Sequence, residues 1–383
     1  MPLMSRLAPL LLLGLLAVSG CQSAVLSTVL STALPSLQAR QETAQLIYAA
    51  SQLTPYFNIT ITTFAYAEGD ADRIARIYTP IHEAEAHYLP VVLRNTLMES
   101  GHWGAVKVAP LTDASAEVQV STTILTSTAQ DLALQVRVTD SRGINWLDQT
   151  YSARASAADY AVDETVRGSP FQGLFNQIAN DMYRARVALS STEASTIVRA
   201  SLLQYAVALA PQAFSGYIQR DEQGVMQVSG LPALDDLMYL RVKKIRAAEY
   251  RFTDVMDEQF GHFYNKLQQV YPFWQRYSYE LLAYNEHIQT TGSVSSRPRS
   301  GSWAATENVY RTFKEYKMNE DELRELADSF KTEIHPTISE LEGKVIELSG
   351  PLEDQYRQWR ALLQTLYIQE RDIQERDIQS SPE

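Results

Sequence analysis

The chain has 383 residues, 45% of them apolar, enough for two or three domains at roughly 100–200 residues each. Asp and Glu number 45 against 33 Lys and Arg, a formal net charge of −12. That balance argues against nucleic acid or anionic lipid headgroups as general partners, because both need a cationic footprint.

Residues 1–20, MPLMSRLAPLLLLGLLAVSG, place one arginine, Arg6, before a leucine-rich run that ends in small residues. This is the layout of a secretory signal, too short and wrongly flanked for a membrane span. Its end, Val18-Ser19-Gly20-Cys21, resembles a bacterial lipobox. The resemblance implies cleavage before Cys21 and acylation of its thiol and new amino group, with the lipid bilayer as the first partner. Gln22 follows instead of Asp, which by resemblance to lipoprotein sorting favours the outer membrane, periplasmic face. Cys21 is the sole cysteine, so an exported chain would carry no internal disulfide, no Cys metal site and no further thiol nucleophile. No later apolar run reaches the roughly 20 residues needed to span a bilayer.

Residues 21–54 read as a lipidated tether followed by a short helix from Gln38 to Leu53. Residues 55–190 carry an α/β pattern. Asn58 to Phe64 alternates with period two, as a half-buried strand should. Glu83 to Ser100 reads as a helix with Gly101 in the C-cap place, and Ala105 to Val108 as a short strand. Runs at Glu117–Leu125, Leu132–Val138 and Ile144–Ala153, separated by turns, form an antiparallel meander. A helix from Phe171 to Leu189 offers Leu174, Phe175, Ile178, Met182 and Val187 for burial. This order implies a small, mostly antiparallel sheet with helices on one face.

Residues 191–232 connect the halves through a helix at Ile197–Leu209 and a hairpin at Tyr217–Val228. Residues 233–383 turn to long helices. Phe260, Leu267, Trp274, Leu281 and Ile288 fall seven apart, as do Met256, Phe263, Val270, Tyr277 and Tyr284. Such a seam predicts one helix of about 50 residues in coiled-coil-like packing, with Pro272 on its outer face. Thr290–Ser302 is a loop by composition. A second helical region from Trp303 uses Leu323, Leu326, Phe330, Ile334, Ile338, Leu341, Val345 and Leu348, and a third uses Tyr356, Trp359, Leu363 and Leu366. The fold class is therefore α+β followed by an elongated antiparallel helical domain. The duplication QERDIQERDIQ, residues 369–379, is expected to fray.

Candidate chemistry is sparse. Ile81–Pro90, IHEAEAHYLP, suggests a zinc peptidase, yet such enzymes need histidines four apart on one helical face. His82 and His87 are five apart, about 140° around a helix and on opposite faces of a strand. Glu83 and Glu85 read instead as acidic decoration of a helix's first turn. His102 lies in a turn beside Trp103, whose packing on the sheet is the simpler account, and His262 reads as a surface or boundary histidine. Tyr264, Tyr271 and Phe273 fall outside the seam, so either a further helix covers them or they form a partner surface.

The pattern of residues 55–190, with Leu97-Met98-Glu99-Ser100-Gly101 closing one helix and LFNQIANDMYRAR forming the last, resembles small periplasmic α/β lipoproteins. These serve as auxiliaries of lipid-transporting ABC systems and as accessories of secretion and exopolysaccharide export. The resemblance implies a non-catalytic accessory or scaffold role without cofactor, partnered by other envelope proteins or by copies of itself. The alternatives are a transport auxiliary with an apolar groove between sheet and helices, and an envelope hydrolase built on carboxylates that folding brings together.

Overall fold

The computed structural model describes residues 44–50, 53–67, 72–112, 115–160, 169–222, 224–233, 235–291, 311, 314, 317–328, 337–341 and 343–380. Residues 1–43, with Cys21 and the expected signal and tether, lie outside them, as do Phe330, Ile334 and His335. The fold is α+β, a small mixed sheet with helices followed by further helical segments.

Strand β1 (Ile59–Thr62) lies inside the sheet, next to its outer strand, and pairs parallel with both β3 (Val106–Ala109) and β4 (Val118–Ser127). The two-residue β2 (Ala65–Tyr66) also joins β4. Strands β4, β5 (Asp131–Asp140) and β6 (Asn145–Arg154) make the expected antiparallel meander, giving the path β3-β1-β4-β5-β6. In β5, Leu132, Leu134, Val136 and Val138 alternate onto the buried face. The β5–β6 turn closes through Gly143, whose φ of +89° suits glycine, and its amide donates to Asp140 O at 2.8 Å.

Helix α1 runs Asp72–Ser100 and so begins eleven residues before the expected Glu83. Pro80 and Pro90 both lie inside it. Pro90 has no N–H to give the carbonyl four residues back. That carbonyl, Ala86 O, is taken instead by the Phe64 amide at 3.0 Å, which docks the β1–β2 link onto the helix. Helix α1 ends on Gly101 at φ +72°, the predicted C-cap.

A one-turn helix, α2, covers Ala157–Tyr160, and α3 covers Gln172–Val187. Leu174, Phe175, Ile178 and Met182 are buried as expected, but Val187 is exposed at the end of the helix. Residues 44–50 correct the expectation of a helix there: they are an irregular strap. Asn176 Nδ2 donates to Ala44 O at 2.8 Å, Asn180 Nδ2 to Gln45 O at 2.7 Å, and Ile47 N to Asn180 Oδ1 at 2.8 Å. Two side-chain amides on α3 thus satisfy the strap's backbone, and a helix there would lose those bonds.

Helix α4 (Ser191–Leu209) starts earlier than expected because Ser190 and Glu193 form a capping box. The one-turn α5 (Pro211–Phe214) and the hairpin β7 (Ile218–Arg220) and β8 (Met226–Val228) complete the connection.

The long helix divides. Helix α6 spans Leu237–Leu267 and α7 spans Tyr271–Thr291, with a turn at 268–270 between them. Pro272 sits in the first turn of α7, where its missing N–H costs nothing, and so starts a helix instead of kinking one. Residues 317–328 form α8. The helix expected through Leu348 gives way to a hairpin, β9 (Thr337–Leu341) with β10 (Lys344–Leu348), turning on Gly343 at φ +75°. Helix α9 covers Leu352–Ser380 and continues through the duplication expected to fray.

The seam residues from Met256 to Trp274 are buried, but they pack against the sheet, α1, α3 and α9 as well as other helices, not in an antiparallel helical bundle of their own. Phe263, Leu267, Val270 and Trp274 enter the same core as the sheet, α1 and α3, together with Leu323 and Ala327 of α8. Phe260 packs with Val91 and Val108. Met256 and Phe252 join a second core with α4, the β9–β10 hairpin and α9, where Phe252 stacks on Trp359 at 4.6 Å.

This arrangement covers the sheet's outer strand. Asp257 Oδ1 of α6 accepts the Val108 amide at 2.7 Å, and its Oδ2 pairs with Arg94 at 2.7 Å. Lys107 Nζ donates to Tyr250 O at 2.9 Å and pairs with Asp254 at 2.7 Å. An edge strand left bare would invite pairing with another chain, and α6 occupies that edge.

Candidate functional site

The HEAEAH stretch lies in the middle of α1, not in its first turn. Its histidines part as the 140° separation requires. His82 stacks on Tyr66 at 4.3 Å, and burial pushes its pKa down. His87 Nδ1 meets Glu83 O at 2.8 Å, and its ring lies against Phe260 and Phe263 at 6.0 and 6.1 Å.

Glu85 departs furthest from its expected role, being 1% exposed. Its stripe-mates on α1 are Ile81, Tyr88 and Val92, all buried, so the helix aims it into the core. Tyr66 OH donates to Oε2 at 2.5 Å and Tyr271 OH donates to Oε1 at 2.5 Å. Gln275 Nε2 in turn donates to the Tyr271 oxygen at 3.0 Å. Tyr88 rests 4.8 Å from both the Tyr271 and Tyr264 rings. Burial raises the Glu85 carboxyl above the ordinary range, while hydrogen bonds from Tyr271, Tyr66 and Ser127 pull it back. The same burial, reinforced by the neighbouring carboxyl, pushes the Tyr66 and Tyr271 phenols up. The centre ties β2, α1 and α7 together.

A second buried carboxyl, Glu117, joins the sheet to α4 and α6. Arg246 Nη2 donates to Glu117 Oε1 at 2.8 Å, to Ser201 Oγ at 2.7 Å and to Ser115 O. The Asn58 amide donates to Glu117 Oε2 at 2.9 Å. Glu85, Glu117 and the edge-binding Asp257 thus hold separate sets of partners.

The proposed partner surface is corrected by burial. Tyr271 is interior and bound to Glu85; Tyr264 is half-buried, stacked on Tyr88. Phe273 alone of the three is exposed. Trp103 packs into the core as expected, and His102 stacks on Tyr183 at 3.8 Å with Nε2 2.9 Å from Ile47 O. His262 is a surface residue, 3.9 Å from Glu258. The glutamate–tyrosine centre escapes the sequence reading. Its signal was available, since Ile81, Glu85, Tyr88 and Val92 repeat at helical spacing, but only for a helix that starts ahead of Pro80.

The space between the sheet and helices α1 and α3, where a lipid groove would open, is filled by Leu93, Leu97, Phe175, Ile178 and Met182. No group of three or more His, Cys, Asp or Glu suited to a metal occurs among the described residues. Among those residues no helix is long and apolar enough to cross a membrane.

No family model and no curated protein sequence matches the chain. A solved structure, protein XCC0632 from Xanthomonas campestris, described under the family model DUF330, is similar over 38% of this chain and 91% of its own. The identity is 8% and the TM-score 0.23.

Proposed function

We propose that this is an outer-membrane lipoprotein on the periplasmic face, anchored through acylated Cys21, that acts without catalysis as an accessory or scaffold for other envelope components. What supports the reading is how the buried Glu85 and Glu117 and the half-buried Asp257 are used. Glu85, Glu117 and Asp257 each join one element to another through donors on both carboxyl oxygens. Such groups specify a rigid body, and a rigid body on a tether suits a role of position.

The test uses the full chain, because removing residues 233–383 would strip Phe263, Leu267 and Trp274 from the core they share with the sheet. In cells, the wild type should fractionate with outer membranes and crosslink to envelope proteins, and Cys21→Ser should move to the periplasmic fraction. Continued membrane fractionation of Cys21→Ser would sink the anchor. Hydrolysis of envelope glycan or lipid esters by the purified chain, lost in Glu85→Gln or Glu117→Gln, would overturn the non-catalytic role.

A further inference from the structure

Helix α6 covers one edge of the sheet, and the opposite edge is bare. Strand β6, ten residues long, ends the path β3-β1-β4-β5-β6, and among the described residues it pairs with β5 alone. The register tells which way its backbone groups point. The Ala155 amide donates to Gln130 O at 2.8 Å, and the same pairing continues through Ala153 with Leu132, Tyr151 with Leu134 and Gln149 with Val136. In an antiparallel ladder every second residue turns both its N–H and its C=O to the neighbour. Asp148, Thr150, Ser152 and Arg154 therefore turn theirs away from β5, and none of them has a backbone partner there among the described residues. All are exposed, and so is Gln149, whose side chain reaches toward Asp181 on the helix side.

Natural sheets guard such an edge with proline, lysine, an inward charge or a short strand. The sequence of β6, NWLDQTYSAR, has none of these, and the one irregularity of its ladder, between Val138 and Thr139, lies at the turn end. The order of its side chains is self-complementary. Asp148 and Arg154 stand three residues either side of Tyr151. When two such strands run antiparallel about a two-fold axis through Tyr151, Thr150 of each copy faces Ser152 of the other, and Asp148 of each faces Arg154 of the other. An axis through Thr150 or Ser152 sets neither charge opposite its counterpart. Both charges have capacity left. Arg154 pairs with Asp131 at 3.8 Å, beyond hydrogen-bonding distance, with both side chains exposed. Asp148 accepts from Arg137 on Oδ2 and from Gln135 on Oδ1, which leaves Oδ1 a further lone pair.

We infer that this edge docks a second copy of the chain, β6 against β6 in antiparallel sense about Tyr151, so that two sheets run on as one. The contact is isologous: it gives the outward N–H and C=O groups from Asp148 to Arg154 their partners and sets two Asp–Arg pairs across the junction. On the helix side, Asp181 of α3 holds the Tyr151 hydroxyl at 3.0 Å and pairs with Arg184, so the helices approach the axis with one carboxylate and one guanidinium from each copy. The junction needs neither the lipid anchor nor an envelope partner, and the inference stands apart from the accessory role.

Sedimentation of the full chain carrying Cys21→Ser tests it. A reversible dimer is expected, its fraction rising with concentration. Thr150→Pro removes an N–H that points away from β5, so it leaves the ladder of the single chain whole; it should weaken the dimer by about tenfold or more with an unchanged circular dichroism spectrum. Charge reversal reads the register independently. Asp148→Arg and Arg154→Asp should each weaken the dimer by about tenfold or more by setting like charges opposite each other, and the double variant should recover the parent's dissociation constant to within about threefold. A chain that stays monomeric at every concentration would overturn the inference, including one whose edge crosslinks in cells to a different envelope protein. So would a dimer that Thr150→Pro leaves intact, or a double variant that fails to recover.

Discussion

Replacing Glu85 by Gln tests the buried carboxyl directly. The amide keeps the shape and can still accept from one phenol, while its NH₂ meets the oxygen of the other. What changes is the ability to ionise at 1% exposure. The sign follows from linkage. Burial raises the folded-state pKa of Glu85 above its ordinary value of 4.5, so over the intervening pH range the folded chain holds a proton that the unfolded chain has released. The contribution to stability is fully present below pH 4.5 and is lost as pH rises toward the raised folded value. Within that window the loss approaches about 1.4 kcal/mol per pH unit. Glu85→Gln cannot lose a proton and should lack this slope. Urea unfolding of the full chain carrying Cys21→Ser, with and without Glu85→Gln, between pH 4 and pH 8, reads the difference. The variant's midpoint should gain on the parent steadily as pH rises from 4.5. A constant offset at every pH would mean that the carboxyl titrates alike in folded and unfolded chains, and would refute the argument.

Other changes separate the roles of neighbouring residues. Asp257→Ala leaves Arg94 largely buried without its partner and removes the acceptor of the Val108 amide. It should cost about 3 kcal/mol by denaturant unfolding and speed hydrogen exchange at Val108. Trp359→Ala, which empties a fully buried site against Phe252, should cost about 3–5 kcal/mol, read as a lower urea midpoint. Phe273→Ser should change stability by less than about 0.5 kcal/mol, because the ring is exposed, whereas Tyr271→Phe, two residues away, should cost about 1.5–3 kcal/mol by removing a donor to Glu85. A Tyr271→Phe midpoint equal to that of Phe273→Ser would contradict the placement of Tyr271.

Strands β4 to β6 could be read from sequence because alternation and turn residues are local signals, and in β5 every second residue from Leu132 to Val138 is buried. The β9–β10 hairpin could not be separated from a helix on the same terms. Ile338, Leu341, Val345 and Leu348 satisfy a 3–4 rhythm, yet Thr337, Leu341 and Leu348 are the residues turned inward, and Ile338 and Val345 face solvent. A helix through this stretch would also need Gly343 to give up its φ of +75° and the turn it makes. A misplaced helix start hid Glu85 in another way. A helix begun at Glu83 puts Glu85 in its first turn, whereas the helix that begins at Asp72 carries it into the core.

The seam through α6 and α7 presents a different limit. Periodicity says that one face of a helix is buried, but not against what. Successive residues of this one stripe enter different environments: Met256 meets α9, Phe260 meets the outer strand of the sheet, and Leu267 and Trp274 meet the sheet's own core. That division explains why β3, four residues on the sheet's outer position, is buried throughout. A strand with one free edge should show exposed backbone and a polar face. Val106 to Ala109 is buried throughout, Lys107 included, because α6, distant by about 150 residues, supplies Asp257 to the Val108 amide, Asp254 to Lys107 and Phe260 to the outer side. The α/β half has no finished edge without α6, and the stripe on α6 has no partner without the sheet. Their cores are therefore mutual, and a substitution in either half should lower the unfolding midpoint of both together.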